Sequence, residues 1–251
     1  MRFEPPLLPG VLVRRYKRFL ADVEIAGRGV VTMHCANTGA MLGCDTPGSR
    51  VWFSTSFRPQ RKYAHTLEIV ETAAGDRIGV NTARANTVVA QALAGGRISE
   101  LRAERIRREV RIPETLAGEH KKAQRAREPL RGRFDFGLYG ASTDQQPSAY
   151  VEVKSVTLAR GNLGAFPDAV SERARRHVEA LARCVAIGSR GVLLYCVPHT
   201  AIRRVTPADD IDPEYGCALR RAADAGVEVI AYGCTVSPQE ITLDGALEVV
   251  L

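Results

Sequence analysis

The first eighty residues alternate short apolar runs with turn residues. Runs of this length, bounded by glycine, proline and charged residues, predict β-strands rather than helices. The predicted strands lie at 11–16, 19–25, 30–34, 51–54, 67–70 and 78–80, the last two paired across a turn at 74–76. Short strands in this number with basic residues between them favour a small barrel, and the five-stranded OB-fold is the leading candidate because it binds nucleic acid.

From residue 83 onward the pattern changes to alternating helices and strands. Segment 84–95 has helical spacing, ends at a glycine pair and is expected to bridge two domains. Beyond it the predicted strands are 134–138, 150–154, 191–197 and 227–232, and the predicted helices are 172–187, capped by Ser171, and a second one from Asp212-Pro213 to 226. We therefore predict two domains, an OB-like barrel over 1–82 and an α/β domain over 83–251.

Composition restricts the class of protein. Apolar residues make up 45% and charged residues 25% of the 251 positions, the balance of a globular protein. No stretch approaches the roughly 20 apolar residues that span a bilayer, and the N-terminus lacks the apolar segment of a signal peptide. The six cysteines form no CxxC pair, so they are expected to be reduced, mostly buried thiols. These features predict a cytoplasmic protein without membrane contact.

The net charge of +7 is unevenly distributed. Between residues 97 and 133 there are 12 basic and 6 acidic residues, whereas from residue 134 onward acids outnumber bases 15 to 11. Basic charge in the first half and the middle of the chain attracts phosphate backbones, although charge alone does not separate DNA from RNA or from a solubilising surface. In the barrel the residues expected to bind nucleic acid are Arg14, Arg15, Lys17, Arg18, Arg61 and Lys62.

The most informative local pattern is Asp135 in Arg-Phe-Asp-Phe, followed by Glu152 and Lys154 in Tyr-Val-Glu-Val-Lys. Residues two apart in a strand share a face, so Glu152 and Lys154 should point the same way. Asp135 is expected between two phenylalanines that face away from it. If the two strands are neighbours, both carboxylates meet at one patch beside the lysine.

Two hard carboxylates close together favour a divalent cation such as Mg²⁺ or Mn²⁺. The cation would lie between Asp135 and Glu152, with the backbone carbonyl near Val153 as a third ligand. Lys154 would orient the attacking water or offset negative charge in the transition state. The pattern predicts phosphodiester hydrolysis with Asp135, Glu152 and Lys154 as catalytic residues. Taken as a bare pattern it is weak, since an ion pair on a half-exposed strand gives the same letters.

Basic side chains begin the helix predicted at 172–187. Arg173 and Arg176 lie in its first turns, where a helix N-terminus and arginines together can hold phosphate. His177 follows them, and an ordinary, partly exposed histidine is the more frequent reading of such a residue.

Nine stretches of the chain, in order, resemble a known family. They are 12–23, 37–41, 47–52, 61–66, 107–110, 133–136, 150–158 (YVEVKSVTL), 166–173 and 211–215. The chain resembles the sugar fermentation stimulation protein A family over nearly its whole length. The resemblance implies an N-terminal OB-like domain, a C-terminal PD-(D/E)xK nuclease-like domain and DNA binding. It matches Asp135 and Glu152 to metal-binding acids and Lys154 to the motif lysine.

The chain departs from the family pattern at two places. Residues 112–131 look like a basic insertion, and Ala174 stands where the pattern usually has glycine. Glu109 is a further candidate metal ligand, as the upstream acid of many nucleases with this fold.

Two functions therefore remain open, a metal-dependent nuclease and a non-catalytic DNA-binding regulator of sugar-utilisation genes that keeps the nuclease fold. RNA is not excluded as the partner. The sequence indicates neither strand preference nor oligomeric state.

Overall fold

The computed structural model describes residues 1–37, 39–113, 132–140 and 146–251. Residues 114–131, most of the predicted insertion, lie outside these ranges. The described residues form two β-sheets and three α-helices. Strands of the first sheet are β1 (Leu8–Tyr16), β2 (Leu20–Ile25), β3 (Gly29–Cys35), β4 (Arg50–Thr55), β5 (His65–Glu71) and β6 (Arg77–Gly79).

The first sheet closes into a barrel. Its strand order is β3-β2-β1-β4-β5-β6, and β3 also pairs with β5 in parallel, which joins the two ends of the five longer strands. The interior is filled by apolar side chains that alternate along the strands, among them Leu12, Val23, Met33, Phe53 and Leu67. The predicted OB-like barrel is confirmed, with β6 as a short addition at the edge of β5.

The second sheet has nine strands in the order β10-β11-β13-β15-β14-β12-β9-β8-β7. They are β7 (Arg105–Arg111), β8 (Arg133–Tyr139), β9 (Ala149–Ser155), β10 (Leu158–Arg160), β11 (Leu163–Phe166), β12 (Arg190–Val197), β13 (Arg204–Pro207), β14 (Glu228–Val236) and β15 (Ile241–Val249). β12 is parallel to both neighbours, β9 and β14, and buried from its second residue on, as its apolar sequence predicts.

Three helices cover this sheet: α1 (Ala85–Ala94), α2 (Glu172–Ala186) and α3 (Pro213–Asp224). The hydroxyl of Ser171 accepts a hydrogen bond from the Ala174 amide, so it caps α2 as predicted. Asp212 caps α3 in the same way. α2 and α3 pack on one face of the sheet, and α1 packs on the other. The predicted α/β architecture is confirmed. Strands β10, β11, β13 and β15 carry too weak a pattern to be predicted.

The two domains share one apolar cluster. Trp52 and Ile69 of the barrel pack in the same cluster as α1 and the second sheet, so α1 bridges the domains as expected. The prediction assigns the first seven residues to the barrel domain over 1–82, but they pack elsewhere. Phe3 and Leu7 belong to this shared cluster, and the Phe3 amide donates to the Gln239 carbonyl. The N-terminal segment thus lies on the C-terminal domain, because its apolar side chains find cover there.

Candidate functional site

Glu152 and Lys154 lie side by side on β9. Both point to the α2 side of the sheet, whereas Val151 and Val153 pack on the α1 side, so the predicted sharing of a face is correct. The Lys154 ammonium donates to Glu152 Oε1 at 2.6 Å. Glu152 is 3% exposed and the Lys154 side chain 13% exposed. An ion pair at this depth is not the solvated surface pair that the bare pattern left open.

Asp135 approaches the site just beyond the end of the β8–β9 ladder. The β8–β9 ladder runs from Leu138↔Ala149 to Phe136↔Val151. Beyond that pair the Asp135 carboxylate takes the place of a strand partner: its Oδ2 accepts from the Val153 amide at 2.7 Å. Its Oδ1 accepts from the side-chain amide of Asn86 on α1 at 2.6 Å. The two predicted strands are neighbours, and Asp135 lies at the edge of β9 next to Glu152.

The two phenylalanines beside Asp135 do not share a face, contrary to the expectation. Phe136 packs in the α1 cluster and Phe134 in the α2 cluster. The neighbouring strand is irregular at the same level: Glu109 of β7, flanked by the Arg108↔Phe136 and Val110↔Phe134 pairs, has a positive φ of 54°. The change of face leaves Asp135 directed along the sheet toward β9.

Burial raises the pKa of Asp135 to about 6, with the nearby Glu152 charge as a second cause. For Glu152 burial acts in the same direction, but the His177 hydrogen bond and the Lys154 charge outweigh it, so its pKa lies below the ordinary value. Two carboxylates in one partly dehydrated site therefore differ in proton affinity. A cation between them would relieve the repulsion felt by Asp135.

One oxygen of this pair has no partner. Glu152 Oε2 is buried and accepts no hydrogen bond from the described residues. The hydroxyl of Ser155 is also buried and has no hydrogen-bond partner among them. A buried carboxylate oxygen without a donor is costly, so it points to a ligand. The Val153 carbonyl lies on the same edge of β9 as its N–H and so faces the Asp135 side. Oxygens of Asp135, Glu152 and Val153 make a hard donor set that suits Mg²⁺, Mn²⁺ or Ca²⁺.

The predicted ligand Glu109 is not brought to this set. Its side chain is exposed, and the described residues contain no group of three acidic, histidine or cysteine side chains that could hold a metal ion. A cation here would rely on two carboxylates, a carbonyl and water.

His177 is a site residue that the sequence reading missed. It is 7% exposed rather than partly exposed, and its Nδ1 makes a short contact with Glu152 Oε1. Phe134 stands edge-on to its ring, with centroids 6.5 Å apart. Lys154 and His177 thus hold the same carboxylate oxygen and leave the other one free. The sole sequence signal was the position of His177 on the buried stripe of α2, and that stripe does not reveal a partner 25 residues away.

The site opens into a cleft of about 470 Å³ between the domains. Val153, Lys154 and Ser155 form part of its floor. Asn37, Gly39 and Thr82 line the barrel side, and the segment before α2 lines the other. The walls are joined by Asp168, whose Oδ2 accepts from the Met41 amide at 3.0 Å. A Cβ on Gly39 would lie 2.4 Å from that carboxylate, so glycine is required for this approach.

The basic residues predicted to bind nucleic acid divide into two groups. Four of them have partners within the barrel. Arg15 donates to the carbonyls of Arg18, Asn37, Gly39 and Ala40; Arg14 pairs with Asp22; Arg61 donates to Thr66; and Lys62 lies over the Tyr63 ring. Arg15 is structural, because its Nη1 and Nη2 atoms are bonded to four backbone oxygens. Lys17, Arg18, Arg173 and Arg176 are exposed, and of these Arg18 and Arg173 line the cleft.

None of the described helices combines the length and apolar character needed to cross a bilayer. All six cysteines are free, and only Cys217 among them is exposed.

Comparison with known proteins relates both halves of the chain to one family. The family described as "SfsA N-terminal OB domain" matches residues 13–80, and "Sugar fermentation stimulation protein RE domain" matches residues 83–240. These matches fall on either side of the predicted division at 82/83. Residues 1–12 lie outside both.

Two relatives match the chain over nearly its whole length. A sugar fermentation stimulation protein homolog of Shewanella baltica (strain OS195) is 45% identical over 99% of each chain. One from Pseudomonas savastanoi pv. phaseolicola is 47% identical over 99% of this chain and 98% of its own. Among solved structures, "The structure of Pyrococcus Furiosus SfsA in complex with Ca2+" superposes with a TM-score of 0.81 at 25% identity, covering 100% of this chain and 98% of that one. The chain belongs to the sugar fermentation stimulation protein family.

Proposed function

We propose that this protein is a divalent-metal-dependent phosphodiesterase that acts on nucleic acid. The observation that carries the proposal is the buried, unpartnered Oε2 of Glu152 beside the Asp135 carboxylate. The related archaeal SfsA was solved with Ca²⁺, which takes oxygen ligands as Mg²⁺ does. An OB-type barrel next to such a site favours a nucleic acid, DNA in the first place and RNA as the alternative.

Asp135, Glu152 and the Val153 carbonyl would hold the cation. When bound, the cation supplies Lewis-acid stabilisation of the scissile phosphate and lowers the pKa of a bound water. The residues of the chain hold the two carboxylates in position. The Val153 and Asn86 donors fix the Asp135 carboxylate, and Lys154 and His177 fix Glu152.

Lys154 has a second role in this proposal. Its ammonium lines the cleft while it is bonded to Glu152, so it lies where a phosphate oxygen would approach the carboxylate pair. At that place the Lys154 ammonium offsets the charge that develops on the phosphoryl oxygens or orients the attacking water.

The direct test is incubation with supercoiled plasmid and with labelled single-stranded and duplex oligonucleotides, in EDTA, Mg²⁺ or Mn²⁺. We expect cleavage that requires the metal and disappears in Glu152→Gln. Titration calorimetry with Mn²⁺ should detect binding to the wild type and none to an Asp135→Ala/Glu152→Ala double variant.

The second function, a DNA-binding regulator without turnover, has the charge distribution in its favour. It becomes the better account if the wild type binds DNA but cleaves none of these substrates with either metal.

A further inference from the structure

Two arginines from different domains face the same cleft. Arg18 belongs to the β1–β2 hairpin of the barrel, and Arg173 belongs to the first turn of α2. Both side chains are exposed and line the cleft that contains Lys154. Within the part of the chain that the structure describes, neither guanidinium forms a hydrogen bond or an ion pair. This distinguishes them from Arg14, Arg15 and Arg61, whose guanidinium groups are occupied.

The backbone that carries Arg18 is held in an uncommon conformation. Lys17 and Arg18 have φ values of 49° and 63°, the left-handed region that L residues other than glycine, asparagine and aspartate seldom adopt. These two residues belong to the three-residue connection 17–19 between the paired Tyr16 and Leu20. Two of its three residues are therefore cations in an uncommon conformation. The turn is fastened because Arg15 donates to the Arg18 carbonyl at 2.7 Å.

The same Arg15 connects the hairpin to a second segment on the barrel side of the cleft. Its guanidinium also binds the carbonyls of Asn37 and Gly39 in the loop after β3. That loop is fastened to the C-terminal domain by Asp168, five residues before Arg173. A chain of hydrogen bonds thus fixes the barrel wall, with Arg18, relative to the wall that leads into α2.

The dimensions of the cleft favour an unpaired strand. At about 470 Å³ it is within the range of small-ligand sites, about 300–1,000 Å³. Glu152 and His177 lie behind the floor residues Val153 and Lys154 and are 3% and 7% exposed, which is too deep for a phosphate held in an intact duplex. Val170 on the cleft wall is 76% exposed and offers an apolar contact to the face of an unpaired base.

We infer that this cleft takes single-stranded nucleic acid, and that Arg18 and Arg173 bind its backbone phosphates from opposite walls. The inference rests on the proposed function for the chemistry at Glu152, but it concerns binding and is tested without turnover. Arginine suits this role because its planar fork of N–H donors matches phosphate oxygens.

The test uses full-length Glu152→Gln protein in EDTA, so that no cleavage interferes. Fluorescence anisotropy with a labelled 12-nucleotide oligothymidylate and with a duplex of the same length gives the two affinities. We expect the single strand to bind at least tenfold more tightly. Arg18→Gln and Arg173→Gln should each weaken single-strand binding about five- to tenfold and lower the salt slope by about 0.7, the value for one phosphate contact on a single strand.

Two matched variants serve as controls. Arg28→Gln removes a charge from the β2–β3 hairpin of the barrel, and Arg183→Gln removes one from the same helix as Arg173, but neither residue lines the cleft. Each should change affinity less than twofold, and melting curves should coincide for all variants. The inference is overturned if the duplex binds as tightly as the single strand, or if the controls weaken binding as much as the cleft variants. Binding as expected together with no cleavage by the wild type would keep the inference and remove the proposed catalysis.

Discussion

The barrel and the α/β domain each bury a glutamate, and the two glutamates differ in their hydrogen bonds. Glu68 on β5 is 0% exposed, and its two oxygens receive hydrogen bonds from Ser54, Asn81 and Arg84. Glu152 on β9 is 3% exposed, yet Lys154 and His177 both bind Oε1 while Oε2 has no donor among the described residues.

The difference separates a structural carboxylate from one prepared for a ligand. The bonds of Glu68 tie strands β4 and β5 to the segment before α1, so they join the barrel to the bridging helix. A complete set of donors offsets the cost of burying the charge. Glu152 has no donor for Oε2 within the described part of the chain, so part of the cost of burying its charge is not offset, and a bound metal ion would offset it. Burial of an acid is therefore less informative about function than the completeness of its hydrogen bonds.

Glu152→Gln should give the largest effect on activity. Replacing one oxygen by an amide group removes a ligand charge, and we expect metal-dependent cleavage to fall by about 10³-fold or more, at least the loss seen for a single transition-state contact. Initial rates on a labelled oligonucleotide in Mg²⁺ measure it. Glu24→Gln on the exposed outer face of the barrel is the matched control and should keep wild-type rates. Equal rates for both variants would contradict the assignment of Glu152.

Lys154→Met tests the role of the lysine ammonium beside Glu152. Its loss removes stabilisation from the transition state but only one of many positive charges from the surface, so cleavage should fall by about 10²–10³-fold. DNA affinity measured by anisotropy should stay within about threefold of the wild type. If affinity falls as far as the rate, Lys154 holds the substrate and is not specific to the chemical step.

Glu68→Gln should act on stability rather than on chemistry. The amide group faces the donors of Asn81 and Arg84 and leaves part of their hydrogen bonds unmade. Since the Arg84 side chain is 37% exposed, water offsets some of the loss, and we expect the free energy of unfolding to fall by about 2–3 kcal/mol. Urea denaturation measures this change. The rate per folded molecule should remain within about threefold of the wild type, and a larger loss of rate would mean that Glu68 also serves the site.

Asp135→Asn should stabilise the metal-free protein, and only above the pKa of the aspartate. Burial and the Glu152 charge raise the pKa of Asp135 to about 6 in the folded state, above its ordinary value. The folded protein therefore favours the protonated form, and stability is lost as pH rises from about 4 through 6. The substituted side chain can still accept from the Val153 amide, and the Asn86 side-chain amide can rotate so that its oxygen accepts from the new NH₂ group. The neutral amide then avoids the loss, so we expect a gain of about 1–2 kcal/mol at pH 8 in EDTA and almost none at pH 4. Denaturation at the two pH values gives the comparison; equal effects at both would show that the Asp135 charge is not destabilising.

Prediction from the sequence succeeded where the signal was local. The period of two placed Glu152 and Lys154 on one face of β9, and helix-capping residues located the starts of α2 and α3. It failed for Arg15, whose positive charge indicated a phosphate contact but whose four acceptors lie in its own turn and in a loop more than twenty residues away. Charge is visible in a sequence, whereas the partner that occupies it is not.

The sequence by itself determined most of the elements, the family and the pairing of an acid with a lysine on one strand, because these depend on periodicity and on residues close together in the chain. Only the tertiary structure decided that Asp135 would bind the Val153 amide, that His177 of α2 would share an oxygen of Glu152 with Lys154, and that Arg18 and Arg173 would face one cleft. The physical reason is that these contacts join side chains from separate elements. Which contacts form is fixed by how helix, sheet and barrel pack to cover apolar surface, and no short-range pattern along the chain records that packing.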